Sequence, residues 1–461
     1  MKKNHIIISI ISLVILFIVL LGFYPGIVSF DGVNQWQQVQ SGIITNAHPF
    51  FSTYFMFLLS KIWNSVTMIA IYQIILVSIS WGYLCKCINL DNKKQFVIMC
   101  IFTVLVMICP LTSIYSITIW KDIIYTSYLL ICAIMLFDWS NNNYEFSIFK
   151  YCLLGFIISM IYSYRHNGII VAILVLICFC FIFIKKYKNN LINKNNFKKC
   201  FCVIGVFIIS LSIISIPKKI ILNESSKKIK DEVSYSTVDS YMLWMMGAHI
   251  RENNINNSDK EFLNKIIPLD EWNSAYNPYL INNTGLSPNL DKKYLVNNSS
   301  KFRKVFIKYS IKNPVTIFNH YVKADSLLIN PVASLNGYVY VYCFSDMWPL
   351  PKYTRIKPIF KPVYWFYMKM IDISLMKPFI MFYQPAFILY LSLLISFILA
   401  KRVYGKRIWL FSLPMILNIV SLLPINLAQD LRYVYINYWT FYGLLLLLVI
   451  NYKKIFNRQK A

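Results

Sequence analysis

The sequence predicts an all-α membrane protein that crosses the bilayer many times. Of its 461 residues, 57% are hydrophobic and only 14% are charged, whereas a soluble protein carries about 25% charged residues. A spanning helix needs about 20 mostly apolar residues. Runs of this kind predict about ten spans, near residues 6–22, 66–84, 96–117, 121–138, 151–164, 168–184, 200–216, 382–400, 408–426 and 434–450.

The basic residues predict the orientation of these spans. With the N-terminus inside, the inner segments are 1–5, 85–95, 139–150, 185–199, 401–407 and 451–461, and they hold most of the Lys and Arg found outside the large polar region. This asymmetry is the one expected for cytoplasmic loops. The abundance of Lys, Asn and Ile is typical of an AT-rich bacterial genome. We therefore expect a multi-pass protein of a bacterial plasma membrane with both termini in the cytoplasm.

One long segment, residues 217–381, is polar and rich in Asn, Lys and Tyr. It predicts an extracytoplasmic domain, mainly α or α/β, with helices near 236–250, 258–267 and 299–328. The chain then divides into an N-terminal transmembrane bundle (1–216, with its first outer loop at 23–63), this domain, and C-terminal transmembrane helices (382–461).

The net charge of +27 is compatible with nucleic acid or with an anionic membrane as partner. Because orientation and anionic lipid headgroups explain the inner basic loops, we expect membrane lipids and no nucleic acid. The eleven cysteines lie mostly in apolar runs, and their C-x-C pairs have no neighbouring His. Buried apolar cysteines are therefore expected, and no metal site.

Charged residues also occur where the orientation rule does not predict them. Outside the large polar segment, three acidic residues lie at the outer ends of spans, namely Asp31, Asp122 and Asp430. Beside them or on the same face lie three basic residues, Lys121, Arg165 and Arg432. Cations in short outer loops need a reason to be there, and an anionic partner such as a lipid-linked phosphate supplies one.

The first outer loop holds the most isolated of these acids. Asp31 follows the first span and could act as a general base toward a hydroxyl, or it could be a solvated acid that marks the interface. His48 and Pro49 precede an amphipathic stretch, Phe50–Trp63, which predicts a helix lying in the membrane interface. His48 is compatible with a catalytic role and equally with packing or capping.

Each of the other three clusters has a structural alternative. In Trp120-Lys121-Asp122, an acid at a helix N-terminus complements the helix dipole and Trp belongs at an interface. The turn at Arg165-His166-Asn167 could be a polar hairpin tip, although Arg is well suited to phosphate. Asp430 and Arg432, next to Tyr433, could form a surface ion pair of little energetic value.

Taken together, these motifs resemble those of the GT-C superfamily, the multi-pass glycosyltransferases that use polyprenyl-phosphate-linked sugars. Asp31, Gln35, Trp36, His48 and Pro49 match the first outer loop of a bacterial branch, which reads roughly D-x-x-x-Q-W and then D-x-H-P. The later clusters are similar to that branch's further motifs. The resemblance covers the membrane region, 1–216 and 382–461, and is thin between them.

The resemblance implies a GT-C helical bundle and an inverting transfer of a sugar from a polyprenyl-phosphate donor to a glycan, lipid or protein acceptor. Asp31 would be the base, with His48 and Asp122 as further catalytic candidates. Arg165, then Lys121 and Arg432, would bind the donor phosphate. Substrate contacts would come from Gln35, Trp36, Asn46, Trp120, His166, Asn167, Asp430 and Tyr433. Relatives often carry Asp where this chain has Asn46, which argues against a divalent metal as cofactor and makes Asp122 the candidate second carboxylate.

Two other functions stay open on the sequence. A transporter or flippase of lipid-linked saccharides would bind near the midplane and often shows repeated halves, which are not evident here. A surface-polysaccharide polymerase of an unrelated class could also combine a large outer loop with Arg and His. The enzymatic interpretation expects Asp31, Asp122, Arg165 and Asp430 to line one cavity.

Overall fold

The computed structural model describes residues 4–88, 93–189, 192, 194–228, 236–252, 255–332, 336–337, 351, 354–374 and 376–456. The chain forms two compact units. The first comprises Met1–Lys228, Tyr340–Ser421 and Arg432–Ala461, and the second Ile229–Val339 and Leu422–Leu431. The first unit extends past the predicted limit at 217, because the helix that contains the run 200–216 continues to Lys228 with polar residues. The first unit resumes at Tyr340, before the predicted limit at 381.

The N-terminal part of the first unit contains ten helices and two very short strands. In chain order they are α1 (Asn4–Gly22), β1 (Ile27–Val28), α2 (Phe30–Ser41), α3 (Phe50–Ile62), α4 (Val66–Cys87), α5 (Lys93–Ile108), α6 (Pro110–Ile117), β2 (Thr118–Ile119), α7 (Lys121–Asn141), α8 (Ile148–Tyr164), α9 (Gly168–Lys188) and α10 (Lys194–Lys228).

Within its described residues, the second unit consists of helices joined by loops, with one isolated bridge between Leu280 and Ala428. Its helices are α11 (Thr237–Arg251), α12 (Asn257–Asn264), α13 (Leu269–Ala275), α14 (Asn282–Gly285), α15 (Lys292–Asn297), α16 (Ser299–Lys312), α17 (Pro314–Ala324) and α18 (Ser326–Ile329). The segment predicted as one helix, 299–328, is broken at Asn313 because the proline that follows cannot continue a helix.

A separate hydrophobic core holds this second unit together. Trp272 and Phe302 are fully buried in it, together with Leu263 and Met246. Two ion pairs, Asp239 with Arg303 and Asp259 with Lys308, join α11 and α12 to α16, each at 2.7 Å. The unit therefore has a core of its own, while its extracytoplasmic location stays a prediction.

The C-terminal part returns to the first unit. It contains α19 (Lys361–Ser374), α20 (Lys377–Ile380), a 3₁₀ turn (Met381–Tyr383), α21 (Pro385–Leu399), a π turn (Ala400–Tyr404), a 3₁₀ turn (Gly405–Ile408), α22 (Trp409–Leu422), a 3₁₀ turn (Leu431–Val434), α23 (Ile436–Ile450) and α24 (Tyr452–Phe456).

The chain reverses direction between α21 and α22. Ser396 Oγ and Ser412 Oγ lie 2.8 Å apart although 16 residues separate them, whereas a straight helix would place them about 24 Å apart. Gly405, whose φ of +61° suits a residue without a side chain, lies in this turn. The apolar stretch from Pro385 to Leu422 is thus a helical hairpin.

Burial identifies the centre and the periphery of the first unit. The most apolar window of α7 is 100% buried, whereas α10 exposes large apolar side chains such as Ile209 and Ile213. Exposed apolar surface of this extent on long helices is suited to lipid. The protein is therefore an all-α membrane protein with α7 at the centre of its helical unit.

Nine of the ten predicted spans each overlap mainly one α-helix, whereas the run 96–117 covers two, α5 and α6. Among the described residues, six helical stretches are long and apolar enough to cross a membrane, or seven if α5 and α6, bent by 64°, form one span. The hairpin α21–α22 is counted here as a single stretch. The helices α3, α8 and α23 are apolar but shorter. The total of about ten spans and their orientation stay predictions.

Candidate functional site

The candidate site is built around the two short strands of the first unit. β1 and β2 pair in parallel, with Ile27 opposite Thr118 and Val28 opposite Ile119. The residues after each strand therefore emerge at the same edge, and each begins a helix. Asp31 lies in the first turn of α2 and Asp122 in the first turn of α7. Two motifs far apart in sequence are thus brought side by side.

A glycine and a buried glutamine hold this edge together. A Cβ at Gly32 would lie 2.9 Å from the Ile119 carbonyl oxygen, so the close approach of α2 to β2 depends on the absence of a side chain. Gln73, fully buried on α4, donates to the Thr118 carbonyl at 2.7 Å and accepts from the Trp120 backbone N–H at 3.2 Å. Sequence reasoning missed Gln73, although a lone amide in an apolar run was a signal.

The first half of the site is partly exposed. Asp31 Oδ2 lies 2.7 Å from Arg432 Nη1 and 3.8 Å from Lys121 Nζ, and the Asp31 side chain is 28% exposed against 13% for each cation. Lys121 Nζ is also 3.5 Å from His48 Nδ1. Asp31 therefore has two cationic neighbours, and all three charged groups retain contact with the surroundings.

The second half of the site is buried. Arg165 Nε lies 3.0 Å from Asp122 Oδ1, and these side chains are only 9% and 1% exposed. Arg432 also approaches the second Asp122 oxygen, at 3.9 Å. Removing one partner from a buried ion pair leaves the other charge buried without a partner, which is strongly destabilising. Arg432 joins the two halves because it contacts both carboxylates.

Aromatic rings surround the two guanidinium groups. Arg165 Cζ lies 4.4 Å from the centre of the Tyr433 ring and 5.5 Å from that of Tyr125. Arg432 Cζ lies 5.3 Å from the Trp120 ring centre and 5.4 Å from that of Tyr433. These distances are in the range of cation–π contacts, so the rings hold both cations in place.

A second residue that sequence reasoning missed, Asn418 of α22, connects three parts of the site. Its fully buried amide accepts a hydrogen bond from Tyr125 Oη at 2.9 Å and one from Asn167 Nδ2 at 3.3 Å. It donates to the Tyr433 carbonyl at 2.9 Å. Asn167 thus acts in packing the helices, and a single Asn in the apolar run of α22 was the available signal.

Electrostatics keep the exposed half charged. Burial alone would raise the pKa of Asp31, but the nearby positive charges of Arg432 and Lys121 outweigh it and hold that pKa well below its usual range. Burial, with the charge of Lys121, lowers the pKa of His48 to about 4. His48 is therefore neutral at pH 7, and three cations face two carboxylates. Counted over these five side chains alone, the cations outnumber the carboxylates by one.

The structure places the remaining predicted residues as follows. Gln35 is buried and donates to Ser52 and Thr53 of α3, at 3.0 and 2.9 Å. Trp120 donates from Nε1 to Ser29 Oγ at 2.6 Å, and His166 Nε2 lies 3.5 Å from the Ala47 carbonyl oxygen. These residues join the segments that carry the charged cluster to one another.

Trp36, Asn46 and Asp430 are the other predicted contacts. Trp36 is about 140° around α2 from Asp31 and lines a separate cavity of about 390 Å³. Asn46 is exposed. Asp430 belongs to the second compact unit, so its part in the site stays a prediction. The structure thus brings Asp31, Asp122, Lys121, Arg165 and Arg432 together, while their chemical roles stay predictions.

Within the described residues, no group of three or more His, Cys, Asp and Glu side chains is arranged to hold a metal ion. Comparisons of the chain with protein-family models, with curated proteins and with solved structures found no match. A function must therefore be argued from the geometry and charge of the site.

Proposed function

We propose that the protein is a membrane glycosyltransferase, which transfers a sugar from a polyprenyl-phosphate donor to a hydroxyl of a glycan, lipid or protein acceptor. The observation that supports this proposal most directly is the contact of the partly exposed Asp31 with Lys121 and Arg432. A carboxylate suited to accept a proton lies beside cations suited to bind a phosphate.

Within this proposal, Arg432 and Lys121 are the leading phosphate ligands. Both are partly exposed, and their carboxylate partner can be exchanged for a phosphate group. Arg165, which the sequence favoured as the phosphate ligand, already contacts the buried Asp122 and two aromatic rings. Its proposed role is to hold Asp122 and Tyr433 in place, and through them Arg432.

Replacement of Asp31 by the donor phosphate as the partner of these cations makes Asp31 a stronger base. When a donor phosphate engages Arg432 and Lys121, these cations are drawn away from Asp31 and the pKa of its carboxyl rises toward its usual range. Asp31 then accepts the proton of the acceptor hydroxyl. The hydroxyl oxygen bonds to the sugar C1 as the bond from C1 to the phosphate oxygen breaks, and polyprenyl phosphate leaves with its electron pair. Attack from the opposite face inverts C1.

The cations also explain how the leaving group is stabilised. Negative charge grows on the phosphate as the C1–O bond breaks, and positioned cations in a site of low water content stabilise that charge strongly. Asp122 is proposed to orient the guanidinium groups, with its buried carboxylate contacting both Arg165 and Arg432. His48, neutral and beside Lys121, is proposed to orient that ammonium group.

The proposal is tested with Asp31→Asn, which keeps the side-chain shape and removes the charge. Purified protein in lipid nanodiscs is incubated with a panel of polyprenyl-phosphate hexoses together with glycan, lipid and protein acceptors, and the release of polyprenyl phosphate is measured. A general base contributes about 10²–10⁴-fold, so we expect release to fall by at least about 100-fold. The matched control is Asp259→Asn, since Asp259 is also ion-paired, with Lys308 at 2.7 Å, and should have no effect.

Folded Asp31→Asn protein that releases polyprenyl phosphate at the parent rate would contradict the assignment. The readout also separates the proposal from transport, because a flippase moves the donor across the bilayer without breaking its C1–O bond.

A further inference from the structure

A second cationic site lies at the opposite end of α7. It is a cavity of about 820 Å³ bordered by Asp138 and Asn142 near the C-terminal end of that helix. Asp122 and Asp138 are about 24 Å apart along the helix axis. The cavity is therefore distinct from the Asp31 cluster.

The cavity collects residues from four segments that the sequence assigns to the inner face. They are 85–95, 139–150, 401–407 and 451–461, and they meet only through the fold. The charged side chains that line it are Lys86, Asp138, Lys150, Arg402, Lys453 and Lys454. The orientation rule explains basic residues in each loop, but it does not require that they surround one cavity.

Charge among the described side chains that line this cavity is strongly unbalanced. Asp138 and Lys150 neutralise each other at 2.7 Å, with side chains 11% and 35% exposed. The other four cations, Lys86, Arg402, Lys453 and Lys454, form no ion pair with a carboxylate in the described part of the chain. Like charges that share a cavity repel one another, and a bound anion relieves that repulsion.

Polar groups in the lining of the cavity have fixed partners. The side-chain amide of Asn142 donates to the backbone carbonyl of Asp138 and to the carboxylate of Asp138, each at 2.8 Å. Asn451 donates to Tyr404 Oη at 3.0 Å. The first pair of contacts fixes the end of α7, and the second connects the end of α23 to the turn after α21. The lining is therefore a structured surface.

We propose that this cavity binds a phosphate-bearing anion. Its volume lies in the range of small-molecule sites, about 300–1,000 Å³, and exceeds the needs of a single inorganic phosphate. The ligand chemistry is that of a diphosphate or of a lipid headgroup, which Arg and Lys bind through charge-assisted hydrogen bonds. This proposal is independent of the glycosyltransferase proposal, because it uses no residue of the Asp31 cluster.

The test removes three positive charges from the cavity in one variant and three from another surface in a control variant. The variant carries Arg402→Gln, Lys453→Gln and Lys454→Gln. The control carries Lys185→Gln, Lys186→Gln and Lys188→Gln, which lie in the last turn of α9, remove the same charge and do not line the cavity. Both are purified in a non-ionic detergent and checked for a monodisperse elution profile and an unchanged melting temperature.

Two probes distinguish the sources of the anion. Pyrophosphate binding is measured by calorimetry in lipid-free micelles, and retention of phosphatidylglycerol against phosphatidylcholine is measured by native mass spectrometry. Binding of pyrophosphate to the parent, lost at least about 10-fold in the cavity variant alone, supports a soluble ligand. Selective retention of phosphatidylglycerol that is lost in the cavity variant alone supports a headgroup. If neither probe prefers the parent to the cavity variant, or if the control loses as much, the proposal is overturned.

Discussion

Arg432 and Asp31, which are 401 residues apart in the chain, form an ion pair at 2.7 Å. One lies in the turn before α23 and the other in the first turn of α2. The candidate site is thus assembled from both ends of the chain, with α7 contributing Lys121 and Asp122 between them. A second pair, Arg165 and Asp122 at 3.0 Å, lies beside it but is buried. This difference in exposure separates the expected roles of the two pairs.

The exposed pair should determine donor affinity. We expect Arg432→Gln to raise the KM for a polyprenyl-phosphate donor at least about 10-fold, because a hydrogen bond to a charged group contributes about 1.5–3 kcal/mol. Arg432→Lys keeps the charge but loses the planar fork, so its effect should be intermediate. The measurement is polyprenyl phosphate release against donor concentration.

Arg303→Gln is the control for this change, since Arg303 is also paired with a carboxylate, Asp239 at 2.7 Å, but belongs to the second unit. An unchanged donor KM in Arg432→Gln would remove Arg432 from the phosphate site.

The buried pair should determine stability. We expect Asp122→Asn to lower the free energy of unfolding by about 3–5 kcal/mol, because it leaves the Arg165 charge buried without its partner. The double variant Asp122→Asn with Arg165→Met should lose less than the sum of the two single variants. Thermal unfolding in detergent, followed by the loss of the monodisperse elution peak, measures all three.

The comparison for the buried pair is Glu224→Gln. Glu224 pairs with Lys227 at 2.9 Å on an exposed face, and exposed pairs contribute little, so its melting temperature should not change. Strictly additive losses at Asp122 and Arg165 would mean that the two side chains do not interact energetically.

The pH dependence should report the ionisation of Asp31. In the free protein its pKa lies below the usual Asp value of about 3.9, so the carboxylate stays ionised as the pH falls to about 4. The dependence of kcat/KM on pH should therefore show no acid limb from Asp31 above about pH 4. In the donor-bound protein the phosphate competes for the cations, so kcat should show an acid limb at higher pH.

A variant that removes a neighbouring cation should raise the pKa of Asp31. Arg432→Gln removes the stronger of the two attractions on the Asp31 carboxylate, so its acid limb in kcat/KM should move to higher pH. Profiles recorded from pH 4 to pH 8 measure the shift. The absence of a new limb in Arg432→Gln, or a limb there that does not shift when Asp31→Glu is added, would exclude Asp31 as the titrating group.

Particular residues show how far the sequence could predict the site. Asp31, Lys121, Asp122, Arg165 and Arg432 could be identified because their charges violate the pattern of the surrounding apolar spans. Gln73 and Asn418 were missed, since a single amide in an apolar run reports only that it needs a hydrogen-bond partner. Which partner it finds depends on neighbouring helices, and this cannot be obtained from one chain segment.

The sequence by itself determined that the chain is an all-α membrane protein and where its apolar helices lie, because apolar run length and charge placement are local properties of a segment. The tertiary structure decided which charges meet. The parallel pairing of β1 with β2 aligned Asp31 with Lys121, and burial committed Arg165 to Asp122 while Arg432 stayed partly exposed. These outcomes depend on contacts between distant segments, and a contact energy belongs to a pair of groups in space and not to either group alone.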